Sequence, residues 1–182
     1  IHGASGGVGL AALQLAIYLG AKTIAVVSSE EKAELLSDYR TTDVLVCPEG
    51  GFKDNVNAIT YGVGADVIFD PVGGNVFAES TKCIAPFGRL LIVGFAGGQI
   101  ATAVTNHILI KQYSVVGVRA GEFGRIDQVR GEEVMNGLLK MVERGAFKPH
   151  IHDVCNFKDL IQAFDAIAAR EVVGRIVIDA LS

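Results

Sequence analysis

The residues best placed to do chemistry stand at the start of the chain: Ala4-Ser5-Gly6-Gly7-Val8-Gly9, with a strand-like stub, Ile1-His2, before them and an apolar helical segment after. Glycines at this spacing between a strand and a helix build a turn whose backbone N–H groups, backed by the positive end of the helix dipole, hold the diphosphate of a dinucleotide. Each small residue has a task in that reading. Gly6 lets phosphates approach the main chain, Gly9 lets the helix pack closely on the sheet, and Ala4 replaces the usual first glycine. The bland alternative is a tight strand-to-helix turn and nothing more. What argues against it is the regular alternation of strands and helices that follows.

The end of the second strand decides between the two nicotinamide dinucleotides. An Asp or Glu there accepts hydrogen bonds from a ribose hydroxyl and would repel a 2′-phosphate. This chain has Ser28 and Ser29 instead, with Lys32 one helical turn further on. Glu30 and Glu31 lie at the helix start, where acids favour the dipole. NADPH is therefore expected over NADH.

The elements that must position these residues follow from hydrophobic pattern and caps. An alanine-rich apolar helix ends at Gly20, Thr23–Val27 is a β-branched strand, and Ser28 or Ser29 caps a helix over Glu30–Asp38. Further strands are predicted at Val44–Val46, Asp66–Phe69, Arg89–Val93 and Ser114–Val118, with helices around Phe52–Ile59, Val76–Ile84, Thr105–Lys111 and Glu132–Arg144. Continuous apolar strands separated by helices imply a parallel sheet covered on both faces. The tail, from about Lys148, reads as strand Ile151–Val154, helix Phe157–Ala169 and strand Arg175–Ile178.

His2-Gly3-Ala4-Ser5-Gly6-Gly7-Val8-Gly9, Asp70-Pro71-Val72-Gly73-Gly74, Gly88-Arg89-Leu90-Leu91-Ile92-Val93-Gly94-Phe95 and Ser114-Val115-Val116-Gly117-Val118 resemble the zinc-independent quinone oxidoreductase branch of the medium-chain dehydrogenase/reductases. The resemblance implies a Rossmann-type α/β domain with a doubly wound parallel six-stranded sheet over residues 1–147. It also implies that residues 148–182 are a β-α-β return segment of a GroES-like substrate domain absent from this sequence. It implies transfer of hydride from NADPH to a quinone or conjugated carbonyl, and makes Arg170 a further 2′-phosphate contact. An enoyl reductase or alcohol dehydrogenase of the same superfamily, or a nucleotide-binding module without catalysis, are the other readings. Gly3, Gly7 and Gly9 also resemble the turn of the short-chain dehydrogenases. The Tyr18/Lys22 pair lies too early in the chain for that family's catalytic helix.

In such a sheet, ligands lie beyond the carboxyl ends of the strands. Val72 and Gly73, then Gly94, Phe95 and Ala96, then Val118 are expected to line the path to the nicotinamide, with backbone groups of Gly94 and Val118 fixing its carboxamide. No residue stands out as a general acid. His2, His107, His150 and His152 are scattered, Cys47, Cys83 and Cys155 are far apart, and neither set has metal-ligand spacing. No metal site is expected.

The net charge of -4, with acids and bases interspersed, gives no basis for nucleic-acid binding, and the longest apolar runs are too short to span a bilayer. A small-molecule substrate and a cytoplasmic location are expected. Tyr113–Val118 reads as an edge strand, which favours pairing with a second copy. Ile1-His2 reads as the end of a strand begun earlier, and the chain as a piece of something longer.

Overall fold

The opening tetrapeptide organises the molecule. In the computed structural model, which describes residues 1–48 and 50–180, Ile1 N–H donates to Ile24 O at 2.9 Å, Val26 N–H to Ile1 O at 2.9 Å and Ala4 N–H to Val26 O at 3.1 Å. On its other side His2 N–H donates to Phe69 O at 3.0 Å. Ile1–Ala4 is thus the central strand, joining two ladders that would otherwise stand apart.

After the glycine turn come α1 (Gly7–Tyr18), β1 (Ile24–Val27), α2 (Glu30–Leu35) with a 3-10 turn at Leu36–Asp38, and β2 (Asp43–Val46). These are followed by α3 (Lys53–Ile59), β3 (Ala65–Asp70), α4 (Gly74–Cys83), β4 (Ile84–Ile92), α5 (Thr105–Lys111) and β5 (Ser114–Gly117). Both ladders, β1–β2 and β3–β4–β5, are parallel. With the opening segment between them the order is β2, β1, Ile1–Ala4, β3, β4, β5, the six strands of a doubly wound sheet. The chain starts at the centre, runs out to one edge, and returns to build the other half.

Two apolar cores hold this sheet. Ala4, Leu10 and Leu13 meet Ala25, Val27, Leu36 and Val173, while Phe52 and Val56 meet Ile68, Phe77, Ile84, Leu90 and Tyr113. His2 is buried: its Nε2 lies 2.9 Å from Ser80 Oγ and its ring packs at 4.5 Å on Phe52. Two polar groups seat the helices. The Glu79 carboxylate accepts the N–H groups of Gly51 and Lys53 at 2.9 and 2.8 Å, satisfying the start of α3. Lys111 Nζ donates to Lys82 O in the last turn of α4 and to Ile84 O just past it, at 2.9 and 3.2 Å.

Three elements differ from the expectations above. An unforeseen α6 (Ala120–Ile126) precedes α7, which spans Gln128–Glu143 and so begins ahead of Glu132. Its N-cap is Asp127, whose Oδ1 accepts Arg130 N–H at 3.0 Å. β4 begins at Ile84, with a register jump from Ala65↔Ile84 to Val67↔Arg89 that absorbs Pro86, Phe87 and Gly88.

The tail forms β6 (Ile151–Asn156), a 3-10 turn at Phe157–Asp159, α8 (Leu160–Ala168) and β7 (Arg175–Asp179), with β6 and β7 parallel. Ile161, Phe164 and Ile167 of α8 are all more than half exposed. Among the described residues no helix is long and apolar enough to cross a membrane.

Candidate nucleotide-binding site

The glycine turn leaves the central strand at the point where the chain divides to either side, the position at which doubly wound sheets open a crevice. Ala4 is fully buried and Ser5 nearly so. Gly6 is the N-cap of α1 in an extended conformation, with no side-chain cap. Its own N–H closes a turn onto Gly3 O at 3.0 Å, and the helical ladder starts with Leu10 N–H to Gly6 O at 2.8 Å. The amides of Gly7, Val8 and Gly9 therefore precede the ladder and stand at the positive end of a twelve-residue helix.

The two outer glycines of the turn do different work. A Cβ on Gly9 would stand 2.1 Å from Gly3 O, so only glycine lets α1 lie against the strand. A Cβ on Gly6 would meet Gly3 O at 3.5 Å, an ordinary contact. The fold does not need glycine there; what it leaves is an open approach to the main chain.

At the carboxyl end of β1 the start of α2 meets the distant backbone of Arg170. Ser29 caps α2, accepting Lys32 N–H at 3.4 Å. Lys32 Nζ donates to Ser28 Oγ at 3.1 Å and to the Arg170 carbonyl at 2.6 Å. Arg170 holds a left-handed conformation, φ +61°, just past α8. The Lys32 ammonium and the Ser28 hydroxyl, with the Arg170 backbone beside them, thus gather where an NAD-type site would carry an acid.

On the other side of the crevice, Asp70 is buried and its Oδ1 accepts Val72 N–H at 2.8 Å and Gly73 N–H at 3.0 Å. This holds the chain after β3 in a turn that Gly73 completes at φ +76°. Ala96 N–H donates to Pro71 O and Gly97 N–H to Val72 O, both at 2.9 Å, which lays the loop after β4 against this turn. A Cβ on Gly73 would lie 2.7 Å from the Phe95 ring, and one on Gly94 3.3 Å from Pro71 O. Val72, Gly73, Gly94, Phe95 and Ala96 therefore form one wall. Val118 stands beside it, but its N–H is already bonded to Ile92 O at 2.8 Å, so only its carbonyl is left to meet a carboxamide. In the sequence Asp70 stands out only as the first residue of the Asp70-Pro71-Val72-Gly73-Gly74 segment, with no role of its own. An Asp before Pro-Val-Gly-Gly is an Asx-turn signal that would have marked it.

Nothing in the wall is a poised acid or nucleophile. Burial lowers the His2 pKa to about 3. Burial, then the Glu79 charge, pushes the Cys83 thiol up to about 11 and raises Cys47 as well. Cys47, Cys83 and Cys155 are free thiols, and among the described residues no three His, Cys, Asp or Glu side chains are grouped to hold a metal ion.

A doubly wound sheet with this glycine turn at its centre defines a nucleotide-binding domain. Residues 7–141 match the family model described as zinc-binding dehydrogenase. The chain belongs to that family, within the medium-chain dehydrogenase/reductase superfamily, although its own described residues provide no cluster for the metal of the description. It is 30% identical over 179 residues to quinone oxidoreductase-like protein 2 of Bos taurus, covering 98% of this chain and 51% of that protein. The structure of Escherichia coli quinone oxidoreductase complexed with NADPH aligns with a TM-score of 0.85 at 25% identity, over 98% of this chain and 56% of that one. A mycobacterial protein complexed with NADPH aligns with a TM-score of 0.89 at 27% identity, over 98% and 56%. The chain spans about half the length of the curated relatives it matches.

Proposed function

We propose that this chain is the cofactor-binding half of an NADPH-dependent, zinc-independent oxidoreductase that delivers hydride to a quinone or a conjugated carbonyl compound. The observation that carries the cofactor choice is Lys32, set between Ser28 and Arg170 at the carboxyl end of β1 with no carboxylate in the place of Ser28. Charge-assisted hydrogen bonds contribute about 1.5–3 kcal/mol each, enough for one to favour the 2′-phosphate by roughly tenfold or more. The quinone oxidoreductase names of the relatives, and the NADPH in two of the aligned structures, support the same reading.

In this account the amides of Gly7, Val8 and Gly9 hold the diphosphate, and Ser28, Lys32 and Arg170 hold the 2′-phosphate. Val72, Gly73, Gly94, Phe95, Ala96 and Val118 border the nicotinamide and keep water from it. The cofactor, when bound, supplies the hydride. Proton delivery falls to solvent or to the substrate domain, which the apolar face of α8 and the residues from 148 onward are suited to meet.

β5 is the edge of its sheet, with Val116 and Val118 exposed, and is the surface on which two copies would pair. The free thiols suit a reducing cytoplasm. The test is turnover by the protein with its substrate half present. NADPH oxidation dependent on an added quinone or enone is expected. Oxidation driven only by simple alcohols or aldehydes, or none with any acceptor, would contradict the reading.

A further inference from the structure

Arg170 occupies the left-handed position that closes α8, at φ +61°. Its N–H returns to Ile167 O at 3.0 Å and Glu171 N–H to Ala166 O at 3.1 Å, the paired bonds of a helix end that glycine usually completes. The turn presents the Arg170 carbonyl to Lys32, 138 positions away in sequence, whose Nζ donates to it at 2.6 Å.

Beyond Arg170 the chain is fastened independently of Lys32. Val173 is buried with Leu10 and Leu13, its N–H donates to His152 Nδ1 at 3.4 Å, and Gly174 N–H donates to Ser5 O at 2.8 Å. The carbonyl that Lys32 meets is therefore a fixed point on the nucleotide domain. A lysine ammonium carries three N–H donors on a flexible stem. Lys32 commits one to Ser28 Oγ at 3.1 Å and one to Arg170 O, which leaves a single donor and fixes where the charge sits. Among the described residues no carboxylate pairs with Lys32, so neutral acceptors hold its charge without compensating it.

We propose that Arg170 is a positioning residue for cofactor choice: its carbonyl holds the Lys32 ammonium beside Ser28, ready for a 2′-phosphate, and the bound phosphate in turn tightens the hold on residues 170–174. The proposal rests on the nucleotide reading above and assigns the role of Arg170 to its main chain. Linkage joins the two halves of the statement, since whatever the tail adds to NADPH binding through Lys32, NADPH adds to the docking of the tail.

The test measures Kd for NADPH and NADH with wild type, Arg170→Gly, Arg170→Asn and Arg170→Val, with thermal melting as the check on folding. Glycine and asparagine accept a left-handed backbone and keep the carbonyl in place, whereas β-branched valine resists it. Arg170→Val should weaken NADPH by about fivefold or more and leave NADH within about twofold, while Arg170→Gly and Arg170→Asn keep the wild-type ratio of the two within about twofold. In parallel, hydrogen–deuterium exchange of residues 170–174 should slow more with saturating NADPH than with saturating NADH, and the difference should vanish in Lys32→Met. An unchanged ratio in Arg170→Val would overturn the proposal, as would a loss in Arg170→Gly equal to that in Arg170→Val, which would give the role to the side chain. Equal slowing of exchange by the two dinucleotides in wild type would overturn it as well, and that comparison decides if Arg170→Val does not fold. A wild-type chain that binds neither dinucleotide, or both alike, would overturn the reading on which the proposal rests, a result distinct from each of these.

Discussion

Alanine at position 9 sets helix propensity against packing, and the structure says which prevails. The new Cβ would stand 2.1, 2.8 and 2.9 Å from Gly3 O, Gly3 C and Ala4 Cα, all of them backbone atoms of the central strand, where an ordinary contact begins at 3.4 Å. No side chain can swing aside, so α1 must lift by more than an ångström, loosening Leu10 and Leu13 in the core. Alanine gains about 1 kcal/mol over glycine inside a helix. Overpacking costs about 1–3 kcal/mol, and partial re-exposure of the two leucines adds a share of the roughly 1.5–3 kcal/mol each contributes when buried. The net loss is about 2 kcal/mol. For a chain of this size that lowers Tm by about 4–8 °C. Gly6→Ala is the matched control. Its Cβ meets Gly3 O at an unstrained 3.5 Å, so the melt should move by no more than about 2 °C while nucleotide affinity falls. Circular dichroism melts and a nucleotide titration on both variants read this out. A Gly9→Ala melt within about 1 °C of wild type would refute the packing argument.

Three further outcomes follow. His2 has its pKa lowered to about 3 by burial, against about 6.5 in the unfolded chain, so the unfolded state binds more protons across that window. Its share of stability is whole above pH 6.5 and is lost as pH falls toward 3; urea midpoints should drop between pH 7 and 5 for wild type and less steeply for His2→Leu, and equal slopes would contradict this. Lys32→Met should raise the Kd for NADPH by about 10- to 100-fold while changing that for NADH little, measured by fluorescence. Val116→Arg on the exposed edge strand should shift the chain from dimer to monomer in light scattering at micromolar concentration, and a wild-type chain already monomeric there would remove the proposed contact.

What was legible in the chain was whatever local physics dictates. The glycine turn, the helix of Thr105–Lys111 and the strands of β-branched residues stand where hydrophobic pattern and caps place them. Gly121 and Gly124 inside α6 hid that helix, since glycine weakens helix propensity, and Pro86 with Gly88 masked the start of β4 as a loop. The site was legible residue by residue rather than as a constellation. Ser28 and Lys32 could be named from the end of a strand, but the Lys32–Arg170 bond spans 138 residues, and no periodicity reports it. The hold of the Asp70 carboxylate on Val72 and Gly73 likewise exists only once the sheet has closed. That the Gly6 and Val118 amides are already bonded is also beyond sequence, because backbone partners depend on where turns close.

The account depends most on the free amides of Gly7, Val8 and Gly9 gripping a diphosphate. Isothermal titration of the folded chain with NADPH and with NADH tests this directly. One-to-one binding of NADPH, at least about tenfold tighter than NADH, is the predicted result. Absence of heat or saturation with either dinucleotide, from material that melts cooperatively, would contradict it.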